Sequence, residues 1–349
     1  MQIFRKQEST IGLDIGSSMI KAVKMTVKGK INILESYALE PIAEGAVQSG
    51  EIRDPSSLAQ STLNAVSRCD AHLKDVVIAL PNYAILSDVL TMNLTPEKEM
   101  REAVMIEAEQ MSAFDLNDVE IDYSVLERDE TAKKMKVLMV VAKNDIILSY
   151  IDFLGEAGLR PIKIDVDLFA LTNIFHHNYD FEKYKSCVLL NIGTESTVAA
   201  FLRNGIYHSS RDISVAGTQF LRELESVTDL TAIQRHNVLQ GDIRPDLDPD
   251  TLTESLNNAN TSFSNAVSVA LSYFQASDAV GKIDLIVLTG GYAWVPGLIN
   301  VLELRTGAEV IILDPFNKVK FKEELMESSD PKKIGTILSV AMGLAARSV

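Results

Sequence analysis

The sequence predicts an α/β protein built from two related lobes, with a small α+β insertion in the first lobe. Three observations carry this prediction. The chain has 349 residues, which is long for a single hydrophobic core. A strand, a glycine turn and a second strand occur around Asp14 and recur 177 residues later around Asn191. Residues 82–160 between the two copies have an α+β pattern of their own.

The first lobe begins with a predicted meander of three strands, IGLDI (11–15), IKAVKMTV (20–27) and INILESYALE (31–40). Asp54-Pro55 predicts the start of a helix, because Asp can cap a helix and Pro suits its first position. VVIAL (76–80) is short and apolar and predicts a buried strand that ends at Pro81.

The insertion is predicted from the strand ILSDVLTMNL, a helix after Thr95-Pro96, and two further strands, VEIDYSVLER and KKMKVLMVVAK. NDIILSYIDFLGEAGL then predicts an amphipathic helix that ends at a glycine. The second lobe repeats the opening pattern with the strands CVLLNIG and STVAAFL and a hairpin turn at Asn204-Gly205. KIDLIVLTGGYAWVPGL predicts a buried strand, a Gly-Gly turn and a helix start.

The duplication aligns residue by residue. Gly16 corresponds to Gly193, Ser17 to Thr194 and Ser18 to Glu195, at the same offset that relates Asp14 to Asn191. Both segments continue into a β-hairpin, so the two copies predict two lobes of related topology that face each other.

The bulk composition excludes several classes of function. The formal net charge of −15 is unsuited to general nucleic-acid binding or to adsorption on an anionic membrane. The two cysteines, Cys69 and Cys187, lack the spacing of metal ligands and predict reduced, buried thiols. No stretch approaches the roughly 20 apolar residues of a membrane-spanning helix.

The glycine turns suit phosphate and magnesium. Glycine lets backbone N–H groups approach a phosphate, and a nearby carboxylate can face a hydrated Mg²⁺ held by that phosphate. Asp14 and the turn of Gly16, Ser17 and Ser18 form one half of such a clamp, and Lys21 can reach a phosphate as a point charge.

Gly193, Thr194 and Glu195 form the other half, and Gly290-Gly291 can accept a flat adenosine. The alternative for any single turn is an ordinary tight hairpin. Three such turns, each after a buried strand and two of them duplicated, favour the clamp.

These motifs resemble those of the actin-like ATPase superfamily. DIGSSMIKAVKM and LLNIGTESTVAAF resemble its two phosphate loops, VLTGGYAWVPGL its adenosine motif, and KIDVDLFALTNIF and IGTILSVAMGLAAR its two hinge helices. The insertion lies where FtsA-like proteins carry an extra subdomain, and the opening GLDIGSSMIKAVKM is most similar to the PilM family of type IV pilus assembly proteins.

The resemblance implies a duplicated, two-lobed actin-like (ribonuclease-H-like) fold. Residues 1–81 and 161–185 would form the first lobe (subdomain 1A), and residues 82–160 an inserted α+β subdomain of the FtsA 1C type. Residues 186–349 would form the second lobe (subdomains 2A and 2B), whose C-terminal hinge helix returns to the first.

The resemblance also implies that ATP and Mg²⁺ bind between the lobes. Asp14 would hold Mg²⁺ through water, and Asp14 and Glu195 would be the catalytic candidates. The implied nucleotide-binding residues are Asp14, Gly16, Ser17, Ser18, Lys21, Asn191, Gly193, Thr194, Glu195, Gly217, Thr218, Arg235, Gly290, Gly291 and Tyr292.

The implied partner is the cytoplasmic N-terminal tail of the inner-membrane protein PilN, docked in a groove between the first subdomain and the insertion. The groove candidates are Met92, Met100, Val104 and Glu107. Contacts with the pilus motor ATPases and the platform protein are implied as well. The expected location is cytoplasmic, with the membrane reached only through partners.

One departure bears on chemistry: Asn191 stands where the second phosphate loop usually carries an acid, and an amide cannot act as a carboxylate base. We therefore expect nucleotide binding with weak or no hydrolysis. One alternative is a filament-forming ATPase like FtsA or MreB. Another is a sugar kinase, which needs an aspartate facing the cleft, whereas Asp165 and Asp167 are predicted to lie within a hinge helix.

Overall fold

The computed structural model describes residues 9–28, 31–48, 50–111, 115–180, 183–227, 230–242, 248–277, 282–327 and 330–347. Within these ranges, no helix combines the length and the apolar character that crossing a membrane requires.

The sheet of the first lobe has six strands in the order β10-β6-β1-β2-β3-β16. They are β1 (Ser9–Ile15), β2 (Met19–Lys28), β3 (Ile31–Pro41), β6 (Asp75–Leu80), β10 (Arg160–Val166) and β16 (Val319–Phe321). The first three form the predicted antiparallel meander, and β6 runs parallel to β1. A two-residue hairpin, β4 (Val47–Gln48) and β5 (Glu51–Ile52), precedes α1 (Pro55–Asp70).

The start of α1 confirms the predicted cap. The Asp54 carboxylate accepts a hydrogen bond from the Ser57 backbone N–H, and Pro55 occupies the first turn, where its missing N–H leaves no unsatisfied donor.

The insertion carries a three-stranded antiparallel sheet in the order β7-β9-β8, formed by β7 (Ile85–Asn93), β8 (Val119–Asp129) and β9 (Lys134–Lys143). One face of this sheet packs against α2 (Met100–Met111) and forms a small core of its own. The following helix, α3 (Asn144–Glu156), buries Tyr150, Phe153 and Leu154 in the core of the first lobe instead, so the chain returns to that lobe before residue 160.

The sheet of the second lobe has five strands in the order β13-β12-β11-β14-β15. They are β11 (Ser186–Ile192), β12 (Thr197–Arg203), β13 (Ile206–Ile213), β14 (Leu285–Thr289) and β15 (Glu309–Ile312). The helices of this lobe are α5 (Gly217–Val227), α6 (Ala232–Leu239), α7 (Pro249–Ser277) and α8 (Leu298–Thr306). Strands β11, β12 and β13 repeat the antiparallel meander, and β14 runs parallel to β11 as β6 does to β1.

The two lobes are joined by α4 (Asp167–Asn178) and α9 (Pro331–Ala345). The backbones of the two helices lie very close at Gly343 and Ala170, because glycine has no side chain. A Cβ atom on Gly343 would lie 1.9 Å from the Ala170 carbonyl oxygen. Strand β16 pairs with β3 in parallel, so the predicted second-lobe segment 186–349 contributes a strand as well as a helix to the first lobe. The predicted domain boundaries stay a prediction.

The prediction that Asp165 lies in a hinge helix is wrong. Asp165 belongs to β10, where it pairs with Ala79 of β6. The helix α4 begins two residues later, at Asp167, so the Asp165 carboxylate lies near the junction between strand and helix. The β-branched residues Ile164 and Val166 favour an extended backbone here and complete the parallel pairing with β6.

Candidate functional site

The first phosphate loop is the turn between β1 and β2. Its backbone is closed by a hydrogen bond of 3.1 Å from the Gly16 N–H to the Met19 carbonyl. Asp14 on β1 lies opposite Lys21 on β2, and the Lys21 Nζ is 3.1 Å from the Asp14 Oδ2. A Cβ atom on Gly16 would lie 2.6 Å from this ammonium group, so the Lys21 charge already sits over the glycine turn.

The second phosphate loop has the same backbone form. The Gly193 N–H donates to the Ser196 carbonyl at 3.0 Å. The start of α5 holds this loop, because the Gly217 N–H donates to the Gly193 carbonyl and the Thr218 N–H to the Thr194 carbonyl, at 2.9 and 2.8 Å. These two bonds place Gly217 and Thr218 beside the second phosphate loop.

The two loops meet across the cleft. The Ser18 and Thr194 hydroxyl oxygens are 2.9 Å apart and form a hydrogen bond that joins the lobes. The serine of one copy and the threonine of the other therefore converge, although 176 positions separate them in the chain.

The third glycine turn follows β14. Gly290 has a φ of +88°, and a Cβ atom there would lie 2.5 Å from the Ile192 carbonyl oxygen and 2.6 Å from the Asn191 Oδ1. Only glycine fits both the left-handed backbone and this close approach. Nothing lies within 4 Å of a Cβ placed on Gly291, so its face is open, as an adenosine site requires.

Tyr292, the next residue of this turn, is buried at 5% exposure. Burial raises the pKa of its phenol, and the neighbouring Thr194 side chain partly offsets this rise. The ring lies against Gly217, so the structure brings these two predicted nucleotide residues into direct contact.

Asp167 is a site residue that the sequence reasoning missed. Its carboxylate accepts from the backbone N–H of Leu168 at 2.6 Å. Burial, together with the negative charges of Asp14 and Asp212, raises its pKa to about 8. Asp167 follows β10, two strands away from Asp14 in the sheet, and the position of an acid directly after a buried parallel strand was the available signal.

Asn82 connects this acid to the second lobe. Its backbone N–H lies near the Asp167 carboxylate and helps to lower the pKa of that acid, and its side-chain amide donates to Asp212 on β13 at 2.8 Å. Asn82 Oδ1 accepts from the Ser210 hydroxyl at 2.9 Å. The cleft therefore has a polar bridge on the side of the insertion as well as the bond between the phosphate loops.

The acids of the cleft suit a cation whose other ligands are water and phosphate oxygens. Within the described ranges, no group of three or more His, Cys, Asp or Glu side chains is arranged to hold a metal ion. Mg²⁺ keeps several waters and takes few protein oxygens when phosphates are present. The water-mediated role of Asp14, which is paired here with Lys21, stays a prediction.

Arg235 lies on α6, where its Nη1 donates to the Leu230 carbonyl at 2.8 Å and its Nη2 is 3.4 Å from the Glu225 carboxylate. These contacts hold the guanidinium within its own lobe.

Three of the four groove candidates are buried in the core of the insertion, whereas residues of a peptide groove must be accessible. Met92, Met100 and Val104 are 7%, 0% and 1% exposed and form the core between α2 and the inserted sheet. Their helical and strand spacing reflects this packing, so they cannot contact a peptide in this conformation. Glu107 lies partly buried on α2.

A groove does exist on the other face of the inserted sheet. A cavity of about 730 Å³ lies between β8 and β9 of the insertion and the β10–α4 segment of the first lobe. Leu126, Val140, Ile164 and Phe169 are among its apolar lining residues. Asp165 and Arg347 line it too and form an ion pair of 2.6 Å.

Comparison with known proteins gives a family and a fold. The sequence model of the family described as type IV pilus assembly protein PilM matches residues 12–349. The structure of a PilM-PilN type IV pilus biogenesis complex matches with a TM-score of 0.82 and 24% identity, over 97% of this chain and 98% of that one.

Two more distant structures share the fold. The ethanolamine utilization protein EutJ from Carboxydothermus hydrogenoformans has a TM-score of 0.59 at 12% identity, over 97% of this chain and 89% of that one. MreB5 of Spiroplasma citri bound to ADP has a TM-score of 0.52 at 14% identity, over 96% and 94%. The predicted actin-like fold is confirmed.

Proposed function

The chain belongs to the type IV pilus assembly protein PilM family, and from this premise we propose that it is an actin-like adaptor that binds the N-terminal tail of PilN. In this role it would sit at the cytoplasmic side of the inner membrane, held there by its partner. The observation that carries the proposal is the cavity between the insertion and the first lobe, together with the likeness to a PilM-PilN complex.

The groove has the chemistry of a peptide site. Apolar side chains from both walls can receive the side chains of an extended segment, and β8 is an edge strand of its sheet. The Asp165–Arg347 pair offers both a donor and an acceptor to a peptide backbone. The acids of the lining, Glu120, Asp122 and Asp165, outnumber its two arginines, Arg101 and Arg347, which favours a tail that carries basic residues.

A titration of a synthetic peptide with the sequence of the cognate PilN tail tests this site by calorimetry. Leu126→Asp places a charge on the apolar wall, and we expect affinity to fall about tenfold or more. Ile106→Asp is the matched control, because Ile106 is 49% exposed on α2 and does not line the cavity. Equal loss in both variants, or no loss in Leu126→Asp, would place the tail elsewhere.

We further propose that the cleft between the two phosphate loops is an ATP site with weak or no hydrolysis. The backbone N–H groups of both loops would face the phosphates, and Asp14 would hold Mg²⁺ through water. Asn191 removes a carboxylate from the second loop, and Asp167, which lies near Asp14, supplies an acid from the first lobe instead. Relatives of this fold solved with ADP and AMPPNP support nucleotide binding.

Asp14→Ala tests this second proposal. The variant should lose Mg²⁺-dependent ATP affinity while its circular dichroism stays that of the parent, because Asp14 lies at a strand end rather than in the core. Asp122→Ala is the control, because this exposed carboxylate of β8 lies outside the cleft between the phosphate loops and its removal should leave the ATP affinity unchanged. Unchanged affinity in a folded Asp14→Ala protein would exclude the assigned metal role.

The placement of Asp167 removes one argument against a phosphotransferase, because this acid belongs to the cleft and not to the interior of a helix. The family match and the peptide-sized groove favour the adaptor. Steady phosphate release, or sedimentation of polymers in ATP, would instead favour the enzyme or the filament.

A further inference from the structure

The Tyr292 ring covers Gly217, one of the residues of the proposed nucleotide site. A Cβ atom placed on Gly217 would lie 2.2, 2.4 and 2.6 Å from three carbons of the Tyr292 ring. These distances leave no gap between the ring and the Gly217 backbone, where even a methyl group could not enter.

The ring is held in place from several sides. Its hydroxyl lies beside Thr194 of the second phosphate loop, and the His236 ring of α6 packs edge-on against the Tyr292 ring with ring centroids 5.9 Å apart. The Tyr292 backbone N–H donates to the Ile192 carbonyl at 3.2 Å. At 5% exposure, the side chain is part of the second-lobe core rather than a free surface group.

Two glycines next to the Tyr292 side chain, Gly291 in sequence and Gly217 in space, differ in what lies over them. Gly291 faces open space, whereas Gly217 is covered by the tyrosine. Both belong to the predicted nucleotide wall, along with Gly193 and Gly290. Two cavities of about 730 and 810 Å³ in the described part of the chain contain none of these four glycines in their walls.

We propose that Tyr292 is a gate that closes the nucleotide cleft, so that ATP binds only to molecules in which this side chain has turned away from Gly217 and Thr194. The proposal rests on the cleft being the ATP site. The proposal adds that the Tyr292 side chain closes the cleft when no nucleotide is bound. The free energy needed to move this side chain then sets the affinity for ATP.

The gate also touches the contact between the lobes. The Tyr292 phenol lies beside Thr194, whose hydroxyl forms the 2.9 Å hydrogen bond with Ser18 of the first lobe. Movement of the tyrosine therefore changes the surroundings of the hydroxyl that joins the phosphate loops. Nucleotide entry is linked to the separation of the lobes through this contact.

Calorimetric titration of Mg-ATP into the full chain and three variants tests the gate. A ligand that binds only a minor open state loses apparent affinity by the fraction of open molecules. If about one molecule in ten is open, Tyr292→Gly should bind about tenfold more tightly than the parent protein. Tyr292→Ala should gain similarly and serves if the glycine variant does not fold. Tyr292→Phe keeps the ring and should stay within about threefold of the parent, since steric closure dominates.

Trp294 gives an independent reading, because it is the only tryptophan in the chain and lies two residues beyond the gate. Its emission in the parent protein should change on addition of Mg-ATP at the concentrations that saturate binding. Equal Mg-ATP dissociation constants for the parent and for Tyr292→Gly and Tyr292→Ala would overturn the gate. Absence of binding in all of them would overturn the ATP site together with the gate, while the peptide titration tests the adaptor separately.

Discussion

The two phosphate loops are copies of one backbone design that carry different chemistry. Both close through a glycine N–H and a carbonyl three residues on, and both connect paired antiparallel strands. The first loop has an ion pair, Asp14 with Lys21, whereas in the second Asn191 lies opposite Val198. The first loop therefore carries a partly buried ion pair between its two strands, whereas the second has an amide and an apolar residue at the equivalent positions. Duplication has preserved the turn, and its side chains have diverged.

The strands behind the loops differ in how they are covered. Gly12 of β1 faces α9, and a Cβ atom there would lie 2.1 Å from the Ala341 carbonyl oxygen. The equivalent position in β11, at the same offset of 177, is the buried Leu189. The hinge helix α9 thus approaches the backbone of the first copy at Gly12, whereas the second copy has the Leu189 side chain at the equivalent position, in a core that also includes residues of α4 and α9.

The largest expected effect comes from testing this difference. Gly12→Ala should destabilise the protein by about 1–3 kcal/mol through overpacking, and Leu189→Ala should destabilise it by about 2–5 kcal/mol through a cavity. Chemical denaturation followed by circular dichroism measures both. Gly155→Ala on α3 is the control, because nothing lies within 4 Å of the added carbon and alanine favours a helix. A neutral Gly12→Ala would show that α9 does not constrain the first copy.

An intermediate effect on the free energy of unfolding should come from Asp167 in the first lobe. The pKa of Asp167 is raised to about 8 from an ordinary value of 3.8, so the folded state favours its protonated form. The parent protein therefore loses stability as pH rises from about 4 to about 8, and this loss is complete above that range. Asp167→Asn removes the titrating group, so its stability relative to the parent should increase over the same pH range and then level off.

Denaturation of Asp167→Asn at pH 5, 7 and 9 measures this trend. The exposed Asp122 of β8 provides a control, because Asp122→Asn should show no such increase. A difference between Asp167→Asn and the parent that does not change with pH would mean that the carboxylate is charged throughout and stabilised by its N–H donors.

The smallest effect should come from the hydrogen bond that joins the copies. Ser18 and Thr194 meet in a solvent-exposed position, so a double-mutant cycle with Ser18→Ala and Thr194→Val should give a coupling energy of about 1 kcal/mol or less. Ser17→Ala replaces the neighbouring hydroxyl and should show no coupling to Thr194→Val. A coupling well above this value would identify the bond as a main support of the closed lobes.

Resemblance to known motifs indicated the actin-like fold, whereas the sequence by itself determined the strands, the glycine turns and the duplication. Each of these depends on local pattern, because a buried strand needs a run of apolar residues and a tight turn needs glycine. The expectation of a missing acid at Asn191 also followed from one position. The same local reasoning misplaced Asp165 in a helix, since KIDVDLF has helical and extended residues side by side.

The tertiary structure decided which residues meet. Met92, Met100 and Val104 have spacings that suit a core or a groove equally, and only the packing of α2 on the inserted sheet places them inside. Asp167 reaches the neighbourhood of Asp14 through the order of strands in the sheet, and Tyr292 reaches Gly217 across 75 positions of sequence. Such contacts depend on chain topology and side-chain orientation, which no short stretch of sequence encodes.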